Sequence, residues 1–477
     1  MNYRHLISSV FVLLILAISL LTGPGCANII PPQGGPRDTI PPVLLKVTPG
    51  DSTRNFNGNK ISFAFDEFIE LQDIQGNINL SPSPTINPVV DYKLNTVTVK
   101  LKDPLESNTT YSINFGNAIK DFNEGNPLKG FTYTFSTGQY IDSLEITGKV
   151  ILAENGKTDS TLIVMLHTNP DDSAVVKERP RYIVKLDGNG NFIFKNLPPK
   201  TFYLYALKDE GGTRRYLESK QLFAFADKPV IVDSKTEPVT LYAYAMKHTT
   251  QQPLSLPNIN IGGNRNKGGG ITAESRLKFQ TNLSNNQQDL LSPFFITFEQ
   301  PLRIFDSSKI RLYTDSTFNP APAYSFQKDT TNKKILLTHT WKENTTYHLI
   351  LDKDFAVDST GKKLLKTDTL SFKTKKLADY GSLQLKFKNL DLANNPVLLF
   401  VNGETILKSV QLTTTAFSQT VFLPGEYELR ILYDNNKNGV WDPGQFFGKH
   451  QQPELVKPIE RKITVKPAWE NEIEIVL

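Results

Sequence analysis

NTTYSINF at residues 108–115 returns as NTTYHLIL at residues 344–351. Each copy is followed by an Asp-Phe pair (Asp121-Phe122, Asp354-Phe355), a turn glycine (Gly125, Gly361) and a closing strand, FTYTFSTG from Phe131 or DTLSFKTK from Asp368. Upstream, ISFAFDE from Ile61 is echoed by FITFEQP from Phe295. Self-similarity at this distance means that one domain is present twice. Within each copy the apolar residues alternate. Ile61, Phe63 and Phe65 are separated by Ser62 and Ala64, and Val97, Val99 and Leu101 follow the same rule, as do Tyr111, Ile113 and Phe115. Period-2 runs of β-branched and aromatic residues between Pro, Gly and Asn clusters are half-buried strands. No long window beyond the N-terminus keeps a helical period, so the expected fold is all-β, built from sandwiches.

The segments between and after the two copies also match each other. FIFKNLPPKTFYLYALKDE from Phe192 resembles TVFLPGEYELRILYDNN from Thr420: a strand passes through Leu-Pro into an alternating strand that ends at Asp209 or Asp434. The chain therefore reads A-B-A-B. The expected boundaries are A1 at 42–138, B1 at 142–247, A2 at 275–376 and B2 at 379–477. Residues 249–274, rich in Gln, Asn, Pro and Gly, are expected to be a flexible linker.

The chain has 477 residues, enough for several domains, and its 39% hydrophobic and 10% aromatic content argues against wholesale disorder. The net charge of +5 is spread along the chain without a Lys/Arg stripe, so no nucleic-acid partner is expected. At the N-terminus, Arg4 and His5 precede an apolar run from Leu6 to Leu21, then Thr22-Gly23-Pro24-Gly25-Cys26. A basic start, an apolar core and small residues make residues 1–25 a secretory signal peptide. The run falls short of the ~20 residues that span a bilayer comfortably. Cys26 is the only cysteine. Its position resembles the lipidated first residue of a bacterial lipoprotein, with residues 26–41 as a Pro- and Gly-rich tether. An ordinary secretory signal with an incidental cysteine is the alternative.

The A1 segments IPPVLLKVTPGDSTRNF, ISFAFDEFIEL and NTTYSINFGNAIKDFNEGNPLKGFTYTFSTG resemble the bacterial Ig-like domain of S-layer proteins, as it occurs in Bacteroidetes lipoproteins. A2 lacks the Asn117, Asp121 and Gly125-Asn126 signature and is expected to be a degenerate copy. The B segments, LDGNGNFIFKNLPPKTFYLYALKD at 186–209 above all, look like transthyretin-like or carboxypeptidase-regulatory modules. These resemblances imply a cell outer membrane protein, lipid-anchored and periplasmic or surface-facing, with no enzymatic activity. Its expected partners are the membrane, through the anchor, and an unidentified envelope protein or glycan. An accessory part in a carbohydrate-active or peptidase-associated envelope system is the alternative.

One stretch invites a metal. In YDNNKNGVWDPGQ, Tyr433 to Gln445, the residues Asp434, Asn436, Asn438 and Asp442 with the Val440 carbonyl fit positions 1, 3, 5, 9 and 7 of a calcium loop, and Gly439 fits position 6. Position 12 is Gln445, which offers no bidentate carboxylate, and the entering element alternates as a strand. The expectation is a hairpin turn ordered without metal, with Trp441 packed beneath it. The alternative is a weak calcium site on those five residues. No cofactor is otherwise expected. Asp187 to Asn191 reads as a hairpin turn, and His348 as an outward-facing, solvated ring. Asp66 and Glu67, neighbours on a strand, would point to opposite faces and could not share one bond. The sequence holds no HExxH, P-loop or G-x-S-x-G motif, so catalysis is not expected.

Overall fold

The computed structural model describes residues 10–14, 37–246, 276–315 and 317–477. Cys26 and the 249–274 segment lie outside the described residues. Two compact units, Met1–Ile141 and Asp142–Leu477, divide the chain. The architecture is nearly all-β, as tandem sandwiches, and among the described residues no helix is long and apolar enough to cross a membrane.

In A1 one sheet runs in the order Leu44–Thr48, Lys60–Phe65, Thr96–Lys100, Val89–Lys93, and it faces Asn79–Ser81, Thr110–Asn114 and Thr132–Ser136. The alternating residues meet between them. Phe63 lies edge-on to Phe115 and Tyr133 at centroid distances of 5.1 and 5.3 Å, the arrangement that ring quadrupoles favour. A2 repeats the plan. Phe279–Thr281, Phe294–Phe298, Lys334–His339 and Tyr324–Lys328 form one sheet, and Ile310–Thr314, Thr346–Leu351 and Asp368–Thr374 form the core of the other. Degenerate in sequence, A2 is complete in architecture.

The NTTY repeat is one corner built twice. Asn108 and Asn344 both take a left-handed φ of 49°, which Asn tolerates better than most residues. The next residue's N–H donates to a threonine hydroxyl, Thr109 to Thr137 at 3.0 Å and Thr345 to Thr374 at 2.9 Å. The tyrosine hydroxyl then accepts from a backbone N–H upstream, Glu106 to Tyr111 at 2.8 Å and Lys342 to Tyr347 at 3.2 Å. This is the tyrosine corner of Ig-type sandwiches.

The Asp-Phe echo is misleading. Ile69 pairs with Asp121 and Leu302 pairs with Asp358, so Asp358 and not Asp354 occupies the place of Asp121. Both are buried, and both carboxylates accept turn N–H groups: Glu124, Gly125 and Asn126 donate to Asp121, Thr360 and Lys362 to Asp358. Those N–H bonds hold both carboxyls below the usual range although burial pushes them up. Phe122 is 62% exposed and Phe355 fully buried, so the two phenylalanines do different work.

The B domains also share a plan. Leu144–Leu152 pairs antiparallel with Asn191–Leu197 and parallel with Val239–Ala243. Gly381–Lys388 pairs the same way with Ala416–Phe422 and Glu470–Val476. The second sheets run Tyr182–Lys185, Ile163–His167, Thr201–Leu207, Phe223–Phe225 in B1 and Thr405–Gln411, Pro396–Asn402, Gly425–Tyr433, Leu455–Val465 in B2. Here alternation fails, since IVML, YLYAL and PVLLFV hold apolar or aromatic residues at successive positions. In B1, Val164, Leu166, Phe202 and Leu204 fill the domain core, while Met165, Tyr205 and Leu207 enter a second cluster that includes Phe446 of B2. Both faces of this sheet are covered, and a strand buried on both faces has no polar side to alternate with.

Candidate functional site: the 434–454 loop and the aromatic box it fills

The hairpin opened by Gly425–Tyr433 does not close at Gln445. Tyr433 pairs with Leu455, so residues 434–454 make a long excursion and not a tight turn. Its first half is a polar ring. Asp434 is fully buried; one carboxylate oxygen accepts from the N–H groups of Lys437 (2.7 Å) and Asn438 (3.3 Å), the other from Gly439 (2.6 Å). Asn436 Oδ1 accepts from Asn438 N at 3.0 Å, and Asn438 Oδ1 from Val440 N at 2.8 Å. The amide nitrogens of Asn436 and Asn438 both donate to Asp442 Oδ2 at 2.6 Å. Lys437 and Gly439 take left-handed φ values of 64° and 78°, which let successive N–H groups turn inward.

Four of the five residues expected in a metal loop therefore come together, and Val440 contributes its N–H. Gln445 is elsewhere, bridged to Gln451 through two backbone bonds of 2.8 and 2.9 Å. Glu454 enters the ring instead, and no spacing rule counted from Asp434 reaches that far. Its carboxylate accepts from Asn435 N (2.7 Å) and Asp442 N (3.0 Å). Burial pushes the Glu454 carboxyl above its usual range, and the charges of Asp434 and Asp442 add to the effect. Trp441 Nε1 donates to the Glu454 carbonyl at 2.7 Å and tucks its ring beneath the loop, against Leu432 and Val456. The carboxylates are thus occupied by the loop's own donors. Among the described residues, no group of three or more His, Cys, Asp or Glu side chains is placed to hold a metal ion.

The second half of the loop reaches into B1. Phe446 is 4% exposed and lies among Tyr205, Phe223 and Phe225, with centroid distances of 5.6, 5.3 and 5.0 Å. Tyr216 stacks on Phe223 at 4.3 Å, and Phe447 covers Tyr216 at 6.0 Å. Burial raises the hydroxyl pKa of Tyr205 and Tyr244 beyond the ordinary tyrosine range. Gly444 makes the approach possible: a Cβ there would sit 2.8 Å from the Gln451 carbonyl and 2.8 Å from the Tyr244 ring. Around the box, His450 meets Asp172 at 2.7 Å, Gln452 Nε2 donates to the Phe225 carbonyl at 3.0 Å, and Val456 N donates to the Ala153 carbonyl at 2.9 Å. The loop is a clasp between B1 and B2, domains that A2 separates in sequence.

Other singled-out residues have quieter places. Asp187 accepts from Asn189 N and Asn191 N, both at 2.8 Å, and closes a turn. His348 is not simply solvated: its ring lies on Phe318 at 4.7 Å, and Nδ1 bonds the Ser371 hydroxyl at 2.8 Å. Asp66 and Glu67 are not on a strand, because the strand ends at Phe65. Asp66 accepts from Val43 N at 2.8 Å; Glu67 is pushed above the usual range by burial, then by Asp121 and Asp66.

The model of a bacterial Ig-like domain family matches residues 38–137, the A1 sandwich. No curated protein sequence matches the chain. Among solved structures, the TIE protein of Bacillus anthracis is similar at 10% identity over 94% of this chain and 76% of that one, with a TM-score of 0.17. BcpA, the major pilin subunit of Bacillus cereus, is 9% identical over 71% and 99%, with a TM-score of 0.17. The N-terminal part of the bacterial S-layer protein SbsC is 14% identical over 35% and 40%, with a TM-score of 0.16. The family assignment is the bacterial Ig-like domain of residues 38–137.

Proposed function

We propose that the chain is a non-enzymatic outer-membrane lipoprotein, anchored through Cys26. Its Ig-like A domains and transthyretin-like B domains, at 42–138, 142–247, 275–376 and 379–477, would present surface to an envelope protein or glycan. The observation that carries this reading is the clasp. The loop that most resembles a reactive centre places its buried aromatic surface between two domains and turns its carboxylates on its own backbone N–H groups and Asn side chains, as a structural spacer does. The Ig-like match over 38–137 and the apolar run ahead of a lone cysteine support an envelope setting. Stable anchoring takes more than one acyl chain, since a single chain binds membranes only marginally. Cys26→Ser is expected to move the protein from the membrane to the soluble fraction; a variant that still fractionates with membranes would show that the anchor lies elsewhere.

The clasp is proposed to hold without metal. Asp434 and Asp442 already accept five hydrogen bonds from the loop, and a calcium ion would have to turn both Asn amides over. Calorimetric titration of the full-length protein with calcium chloride should be silent. A dissociation constant in the low micromolar range, the regime of sensor sites at about 10⁻⁷–10⁻⁵ M, abolished by Asp434→Ala, would contradict this.

A further inference from the structure

One end of the A1 sandwich is apolar where the equivalent end of A2 is polar. The same three backbone bonds build both ends. In A1, Asp66 N donates to the Val43 carbonyl (3.1 Å), Ile69 N to that of Leu94 (3.1 Å) and Phe122 N to that of Phe68 (2.9 Å). In A2, Glu299 N donates to the Lys278 carbonyl (3.3 Å), Leu302 N to that of Asn332 (2.7 Å) and Ser359 N to that of Pro301 (2.8 Å). The backbone thus matches Val43 with Lys278, Phe68 with Pro301, Leu94 with Asn332 and Phe122 with Ser359. Val43, Phe68, Leu94 and Phe122 are 50, 58, 61 and 62% exposed. The sandwich does not need them, since A2 closes the same end without them. Leu94 even holds a left-handed φ of 54°, where Asn332 holds 55°. Asn tolerates that region and leucine seldom enters it. Leu94 is therefore kept against the preference of its own backbone, and such outliers point to function.

What covers this tip follows from where the chain enters A1. Arg37 Nη2 donates to the Glu124 carbonyl and Asn126 Nδ2 to the Asp38 carbonyl, both at 3.1 Å. The segment leading in from Cys26 therefore arrives against the turn that carries Phe122. Cys26 stands eleven residues before Arg37, a length of chain that reaches at most about 40 Å. A lipid on Cys26 keeps this end of A1 close to a bilayer. Charge narrows the surface further. Asp66, Asp38 and Glu124 all act on the Glu67 carboxyl beside Phe68, so the rim of the tip is acidic and meets a zwitterionic headgroup layer at less cost than an anionic one. We infer that Val43, Phe68, Leu94 and Phe122 dip into a zwitterionic lipid surface and set the orientation of A1 on the membrane. The inference rests on the anchored reading. Four side chains do not hold a protein on a bilayer by themselves, where even one myristoyl chain binds only marginally. They orient what a tether brings.

The test supplies the tether independently. Residues 27–477, which hold all four sandwiches, carry a hexahistidine in place of Cys26 and are held on phosphatidylcholine vesicles through a nickel-chelating lipid. That chain has no cysteine, so Asn123→Cys, next to Phe122, and Ser359→Cys, at the A2 counterpart, each take a single NBD label. On the vesicles the label at 123 should shift to the blue and be quenched by doxyl-labelled lipid, and the label at 359 should do neither. Leu94→Asn and Phe122→Ser, which install the A2 residues, combined with Phe68→Ser should abolish the response at 123. The melting temperature should stay within a few degrees, since the three side chains are exposed. Exchanging part of the phosphatidylcholine for phosphatidylglycerol should weaken the response. No response at 123, an equal response at 359, survival in the triple variant, or a stronger response with phosphatidylglycerol would overturn the inference. So would a dimer in sedimentation velocity that the triple variant dissolves, because the tip would then be covered by a second copy. Each result is read on a chain whose tether does not depend on Cys26, so it is distinct from failure of the Cys26→Ser fractionation.

Discussion

Phe446→Ala is expected to lower the stability of the Asp142–Leu477 unit by about 3–5 kcal/mol, the usual cost of truncating a buried phenylalanine. The ring is 4% exposed and has three aromatic neighbours in B1. Each such pair contributes about 0.5–1.5 kcal/mol beyond area burial. The site collapses poorly, because Tyr205, Phe223 and Phe225 are held by the strands Thr201–Leu207 and Phe223–Phe225 and cannot follow a retreating side chain. Phe446→Leu, which refills part of the space, should cost roughly half as much. Urea unfolding followed by tryptophan fluorescence measures this, since Trp441, one of the three tryptophans of the unit, lies against both the B1 aromatic cluster and the second B2 cluster. A change below about 1 kcal/mol, the size expected of an exposed loop residue, would mean that the clasp is not a structural joint.

His167 supplies the second large effect. It lies on the clasp-facing side of the Ile163–His167 strand, 2% exposed, with its ring edge against Tyr205 at 5.7 Å and Nε2 without a partner. Burial lowers its pKa from 6.5 to about 4, although the Glu178 charge pulls the other way. The unfolded chain therefore takes up the proton first. Stability is complete above pH 6.5, falls as pH drops through the window to 4, and is reduced by up to about 3 kcal/mol below it. His167→Phe should remove that slope. Urea midpoints of wild type and variant at pH 7.5, 5.5 and 4 test the point, and an unchanged slope in the variant would assign the acid sensitivity to other groups.

Much of the architecture was legible in the sequence. Alternation in KISFAF and TVTVKL marks the A1 strands because each has one wet face, and the NTTY repeat marks a corner whose Asn takes the left-handed φ and whose following Thr and Tyr make the hydrogen bonds. The Asp-Phe echo misled for a physical reason. What the fold requires is a carboxylate that accepts turn N–H groups, and in A2 that carboxylate is Asp358, four residues after the Asp354 that the letters suggest. The clasp was half legible. The unbroken apolar runs IVML and PVLLFV show that something covers the second face of each B sheet, but not what, because Phe446 and Tyr205 are brought together only by the packing of two whole domains. Glu454 was invisible for the same reason: it joins the Asp434 ring through the return strand and not through loop spacing.

Hydrogen exchange on Phe446→Ala tests most directly whether residues 434–454 join B1 to B2. The Phe223 and Tyr244 amides bond each other's carbonyls at 2.8 and 2.9 Å beneath the Phe446 ring. If the loop is a joint, both should lose protection together with the loop, by about 100-fold or more for a cost of ~3 kcal/mol, and the Ile146 and Phe194 amides of the B1 core, which open only with the whole unit, should lose it as well. Faster exchange confined to residues 434–454, with Phe223 and Tyr244 unchanged, would contradict the account.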